Sequence, residues 1–183
     1  MANKLPALLV IDVQNAFCPG GILAVPNRDL EQVIKLLNLA MRFFFRNDWP
    51  IFASIYCKTS AIGAKFRQDL EMPKGVHIIK KGINGFRDGL SAFDGYIFLS
   101  DCSFEEMLRE QGITDLYMGG IGTNIGIRKS ALDSKRNGHN TFLLRDACWA
   151  IHTDESTALK EMRQAGITFT TTDELIRYPV RRR

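Results

Sequence analysis

Short apolar runs alternating with segments of helical period constrain this chain more than any other feature. ALLVIDV (Ala7–Val13), PIFASIY (Pro50–Tyr56), VHIIKK (Val76–Lys81), DLYMGGI (Asp115–Ile121) and NTFLLRDA (Asn140–Ala147) read as strands, and TFTTTDEL (Thr168–Leu175) as a last strand and turn. Between them lie segments of period 3.6. LEQVIKLLNLAMRFFFRN (Leu30–Asn47) is amphipathic, with Asn27 or Asp29 as its cap. SFEEMLREQGI opens with a capping box, Ser103 and Glu106, and stops near Gly112. IGIRKSALDSKRNG (Ile125–Gly138) stops at Asn137-Gly138, and DESTALKEMRQAGI (Asp154–Ile167) is a further capped helix. Strands alternating with helices favour a parallel sheet covered on both faces. The expectation is one α/β domain spanning residues 1–183, a three-layer α/β/α arrangement with a mainly parallel sheet of about six strands.

The totals narrow the function classes. A chain of 183 residues has room for one full core and no second substantial domain. No stretch approaches the ~18 apolar residues of a membrane span, so no membrane partner is expected. MANKLPALLVID lacks a signal-peptide layout, which makes the cytoplasm the default location. The net charge of +4 is a mild bias concentrated in RYPVRRR, and no nucleic-acid partner is expected from it. Cys18, Cys57, Cys102 and Cys148 show no CxxC spacing, which argues against a structural zinc site and a disulfide framework.

Parallel sheets bind ligands beyond the carboxyl ends of their strands. Asp12 ends the first predicted strand, Tyr56 to Lys58 the second, Lys80 and Lys81 the third, and Gly120 to Gly126 follow the fourth. A carboxylate and an ammonium from different strands can therefore meet in one pocket, although a buried ion pair that only holds strands together would read the same way. The stretch GGIGTNIGI (Gly119–Ile127) runs from strand to helix, where an α/β enzyme commonly presents a nucleophile, yet no cysteine or serine stands at the helix start.

These motifs resemble a known family. LLVIDVQNAFCPGGILAVP, HIIKKGINGFRDGLSAF, GGIGTNIGIRKSALDSKRNGHNTFLLRDAC and ALKEMRQAGITFTTTDEL, in order along the chain, are similar to segments of the isochorismatase-like hydrolases, which include nicotinamidases. The resemblance implies a Rossmann-like α/β fold, a homo-oligomer and a small-molecule substrate. It carries the family's Asp onto Asp12 and its Lys onto Lys81, and its catalytic Cys position falls on Gly126. Its amidases also bind a metal through Asp-x-His. Those positions hold Tyr56 and Lys58, the stretch with the last His is deleted between Phe66 and Val76, and His77 lies inside a predicted strand, so no metal or cofactor is expected. The family's isochorismatases work without the cysteine. Their Ile-Gly matches Ile125 and Gly126, with Thr123 and Asn124 in place of Ala-His, a Tyr at Tyr56, and an Arg loosely matched by Arg67. The resemblance places a cis peptide at Ile121–Gly122.

Burial favours a protonated carboxyl and a nearby ammonium an ionised one. Asp12 beside Lys81 is thus a candidate general acid or base. Adjacent strand residues face opposite ways, and the family's Lys-Gly pair selects Lys81, leaving Lys80 for the surface. The expected substrate-binding residues are Phe17, Tyr56, Gly122, Thr123, Asn124 and Ile125, with Gly122 and Gly126 N–H groups as an oxyanion cradle. Trp149 is a further lining candidate, although core packing is the commoner fate of such aromatics. Cys57 and Cys148 are weak alternative nucleophiles, Cys18 is assigned to a loop, Ser130 to packing, and His139 and His152 to the surface. Three readings stay open: a cysteine-less hydrolase acting on a small anionic substrate, a non-catalytic relative serving as a ligand-binding or oligomeric module, and an amidase with an altered active site.

Overall fold

The computed structural model describes residues 5–24, 30–57, 62–83, 89–100, 102–151 and 154–177. One sheet holds seven strands in the order β4-β3-β2-β1-β5-β6-β7. These are β1 (Pro6–Ile11), β2 (Ile51–Tyr56), β3 (His77–Lys81), β4 (Tyr96–Ile97), β5 (Asp115–Ile121), β6 (Asn140–Trp149) and β7 (Thr168–Thr170). Every pairing is parallel except β3 with β4. The sheet has one strand more than the sequence suggested. The two-residue β4 is too short to leave a periodic signal.

Residue alternation along β1 builds both cores. Leu8 and Val10 point into a cluster with Ile34, Leu37, Met41 and Phe44 of α1 (Leu30–Arg46) and Leu175 of α5 (Thr172–Arg177). Ala7, Leu9 and Ile11 point the other way, into a cluster with Phe104 and Leu108 of α2 (Phe104–Glu110), Ala131 of α3 (Arg128–Arg136) and Met162 of α4 (Ser156–Gln164). Each fully buried Leu or Ile contributes about 1.5–3 kcal/mol, so β1 is fixed in register from both faces. Three layers, α/β/α, result.

Local chemistry sets the helix ends. The capping box of α2 forms as read: the Ser103 side chain accepts from Glu106 N at 3.2 Å, and Glu106 accepts from Ser103 N at 2.8 Å. Gly112 (φ 66) and Gly138 (φ 86) follow α2 and α3 in left-handed conformation. The segment read as a last strand and turn instead splits into β7 and α5. Thr171 and Glu174 exchange capping hydrogen bonds of 2.9 and 3.2 Å, while the Asp146 carboxylate accepts from Thr172 N at 3.0 Å. The caps proposed for α1, Asn27 and Asp29, lie outside the described residues, as do His152 and Arg181 to Arg183. No helix among the described residues is long and apolar enough to cross a membrane.

Strand order reverses at the centre: the chain leaves β1 for β2 and β3 on one side and returns to β5 on the other. In a parallel sheet this switch point opens a crevice at the carboxyl ends of the two strands. Asp12 follows β1 there, and Gly122 follows β5.

Candidate active site

Asp12 leaves β1 with φ 52, a left-handed conformation that costs a non-glycine residue about 1–3 kcal/mol. Two side chains hold it, one of them tied in turn to a backbone carbonyl. Lys81 Nζ, from the end of β3, donates to Asp12 Oδ2 at 2.6 Å. The same ammonium donates to the Leu90 carbonyl at 2.8 Å. Ser54 of β2 donates its hydroxyl to Asp12 Oδ1 at 2.7 Å. Lys81 is 1% exposed and Asp12 7%, so a charged pair is withdrawn from water. Removing one partner of such a pair costs about 3–5 kcal/mol.

The turn after β5 approaches from the other side. Residues Thr123–Ile127 form one π-helical turn, and α3 begins only at Arg128. Gly126 is buried, and a Cβ at this position would sit 3.3 Å from Asp12 Oδ2 and 3.4 Å from the Leu90 carbonyl. Position 126 therefore faces the Asp12–Lys81 pair directly. Asp12, Lys81 and Gly126 converge as the sequence suggested. Tyr56 joins them: its ring centroid lies 5.6 Å from Lys81 Nζ.

Other expectations change. Gly122 has φ 93 and ψ 47, and the described residues contain no cis peptide. Its N–H donates to the Trp149 carbonyl at 2.6 Å, so it is spent on the sheet and cannot serve an oxyanion cradle. The Asn124 side-chain oxygen accepts from Ile151 N at 3.1 Å, which anchors the turn to the end of β6. Thr123 is fully buried with no hydrogen-bond partner on its hydroxyl, while Ile125 is half-buried. Phe17 is buried in the core cluster that also holds Trp149 and the inner face of α1. Lys80 is half-buried near the surface, against exposed Phe98. Its ammonium lies 3.6 Å from the centroid of Phe98. His139 is half-buried, with Nδ1 3.1 Å from the Ile113 carbonyl.

None of the four thiols stands as an activated nucleophile. Burial pushes the thiols of Cys18, Cys57 and Cys148 above their ordinary value, and Cys102 is raised too. Arg67 beside Cys18 only partly offsets this. Nucleophilic cysteines need the opposite shift. Cys18 lies in the loop segment after β1, as expected, and is buried there. It lines a cavity of about 850 Å³ with Asn15, Arg67 and Asp69, apart from Asp12, Lys81 and Gly126. Ser130 is packed: its hydroxyl donates to Gly126 O at 2.7 Å and accepts from Ala92 N at 2.9 Å.

The residues present do not fit the family's metal. The two ligand positions hold a phenol, Tyr56, and, in the sequence, an ammonium, Lys58. Among the described residues no group of three or more His, Cys, Asp and Glu could hold an ion. His77 stacks on Phe52 at 5.1 Å, and burial lowers its pKa.

Sequence reasoning missed Ser54 and Gln14. Gln14 is fully buried. It accepts from Tyr56 N at 2.8 Å and donates to the Ala64 carbonyl at 3.1 Å, pinning the exit of β1 to the end of β2. Neither carried a signal, because each acts through partners about 40 residues away.

Fold and site together define a three-layer α/β scaffold with an Asp–Lys pair at the switch point. The chain matches the Isochorismatase domain over residues 6–174 and belongs to that family. The nicotinamidase of Acinetobacter baylyi is 30% identical over 194 residues, covering 88% of this chain and 90% of that protein. Two solved structures are similar. The pyrazinamidase of Pyrococcus horikoshii, in complex with zinc, has a TM-score of 0.79 and 28% identity, covering 91% of this chain and 98% of that one. The Acinetobacter baumanii nicotinamidase has a TM-score of 0.80 and 26% identity, covering 96% and 100%.

Proposed function

We propose that this family member is a hydrolase that works without a cysteine, with Asp12 as general acid and base and Lys81 as its charge partner, on a small anionic substrate. One observation carries the reading: Asp12 Oδ2, held by Lys81 at 2.6 Å, also bounds the space above Gly126. A vinyl ether suits this geometry. Asp12 protonates the alkene carbon, water adds to the resulting oxocarbenium ion, and the carboxylate takes a proton back from that water. The hemiketal then collapses to a ketone and an alcohol. No protein nucleophile is needed. Lys81 has three N–H donors, of which two serve Asp12 and Leu90; the third is suited to an anionic oxygen of the substrate.

The resemblance to the family's isochorismatases supports this choice, since they share Tyr56, Ile125 and Gly126 with this chain. A second reading, a ligand-binding relative without turnover, is favoured by the near-complete burial of Lys81 and by the Gly122 N–H already committed to Trp149. An amidase reading, suggested by the nicotinamidase relatives, lacks both thiol and metal ligands. Assay of the wild type and Asp12→Asn on isochorismate and nicotinamide separates them. Vinyl ether turnover that vanishes in the variant supports the proposal. Binding without turnover by either protein supports the second reading.

A further inference from the structure

The catalytic role of Asp12 depends on how its carboxylate plane is set toward the substrate, and a single bond, Cβ–Cγ, decides that. This torsion is broad and roughly two-fold, so side-chain preference alone does not choose. Oδ2 faces Lys81 and the space above Gly126. Oδ1 is turned away and accepts from the Ser54 hydroxyl at 2.7 Å. Ser54 is fully buried in β2, in register beside Ile11 of β1.

We infer that Ser54 is a positioning residue for Asp12, an assignment that deepens the proposed function and rests on it. Lys81 alone cannot set the carboxylate plane, because its ammonium is a compact charge with rotatable donors on a flexible stem and follows either oxygen. Ser54 has a short stem in the middle of a sheet and cannot follow. Its hydroxyl donates to Oδ1 of the ionised carboxylate and, when the proton sits on Oδ2, to Oδ1 as the carbonyl oxygen of the acid. Oδ1 thus stays partnered through both halves of an acid–base cycle, while Oδ2 remains the oxygen offered above Gly126. Alanine at position 54 removes that donor from a fully buried position and leaves Oδ1 without its hydrogen bond.

Crystal structures and kinetics of Ser54→Ala and Ser54→Thr test this. In Ser54→Ala the Asp12 carboxylate turns about Cβ–Cγ or divides between two orientations, and kcat falls about tenfold to a hundredfold, as misplaced reacting groups do, with KM within about twofold of wild type. Ser54→Thr keeps the hydroxyl and restores both the orientation and kcat. Should Ser54→Ala fail to fold, Ser54→Cys, close in size with only a weak donor, carries the same expectation. An unchanged carboxylate orientation in the variant lacking the hydroxyl overturns the assignment. Full turnover by Asp12→Asn would instead overturn the catalytic reading. The two failures are separable because the orientation is read without turnover.

Discussion

At Gly126 the side chain is a hydrogen atom, and the space it leaves is bounded by Asp12 Oδ2 and the Leu90 carbonyl. Cysteine there needs its neighbours to give by a few tenths of an ångström, so Gly126→Cys is expected to fold. It is not expected to hydrolyse nicotinamide, because the positions that the resemblance matches to the amidases' metal ligands hold Tyr56 and Lys58. Nicotinate release above background, measured with the purified variant, would show that the amidase apparatus is intact. Gly120 is a stricter position. With φ 132, its added Cβ would lie 2.2 Å from the Ile11 carbonyl, a backbone atom that cannot swing aside. Gly120→Ala should lose more than about 4 kcal/mol in urea unfolding, or fail to fold. At this scale strand-end position marked Asp12, Lys80 and Lys81 as candidates, and the family's Lys-Gly pair, which the resemblance supplied, selected Lys81. Ser54 was not, since a serine in a strand carries no mark of a partner 42 positions away.

Among the elements, the π-turn Thr123–Ile127 shows best why local sequence falls short. The residues from Ile125 onward read as continuous helix, and a glycine at a helix start looked costly. Tertiary bonds decide the matter. Ser130 ties Gly126 O to Ala92 N, joining the turn to the segment whose Leu90 carbonyl receives Lys81. Ser130→Ala leaves the Ala92 N–H buried without a partner and is expected to cost about 1–3 kcal/mol, read as a lowered urea midpoint with an unchanged m-value. A variant as stable as wild type would contradict that linkage. The α5 helix was legible in principle, as Thr171 and Glu174 have capping-box spacing. The β-rich TFTTT before them pulled the reading toward a strand.

For the whole molecule, alternation of strands and helices was enough to give the layered parallel sheet, while strand order and the antiparallel edge depended on contacts with no sequence period. Burial lowers the pKa of both His77 and His139. The unfolded chain, with histidine near its ordinary value of about 6.5, therefore binds protons before the folded one as pH falls. Stability is full above that value and declines as pH drops toward the lowered folded values. The urea midpoint should fall between about pH 7.5 and about pH 5.5, and less steeply in His77→Phe. A slope unchanged by that substitution would remove His77 from the account.

The central claim is that any turnover at this site runs through Asp12. Steady-state hydrolysis of isochorismate by wild type and Asp12→Asn, with circular dichroism confirming that both are folded, tests it most directly. The account predicts measurable kcat/KM for wild type and a loss of at least about a hundredfold in the variant, the lower end of what a general acid supplies. Equal kcat/KM for the two proteins would contradict it.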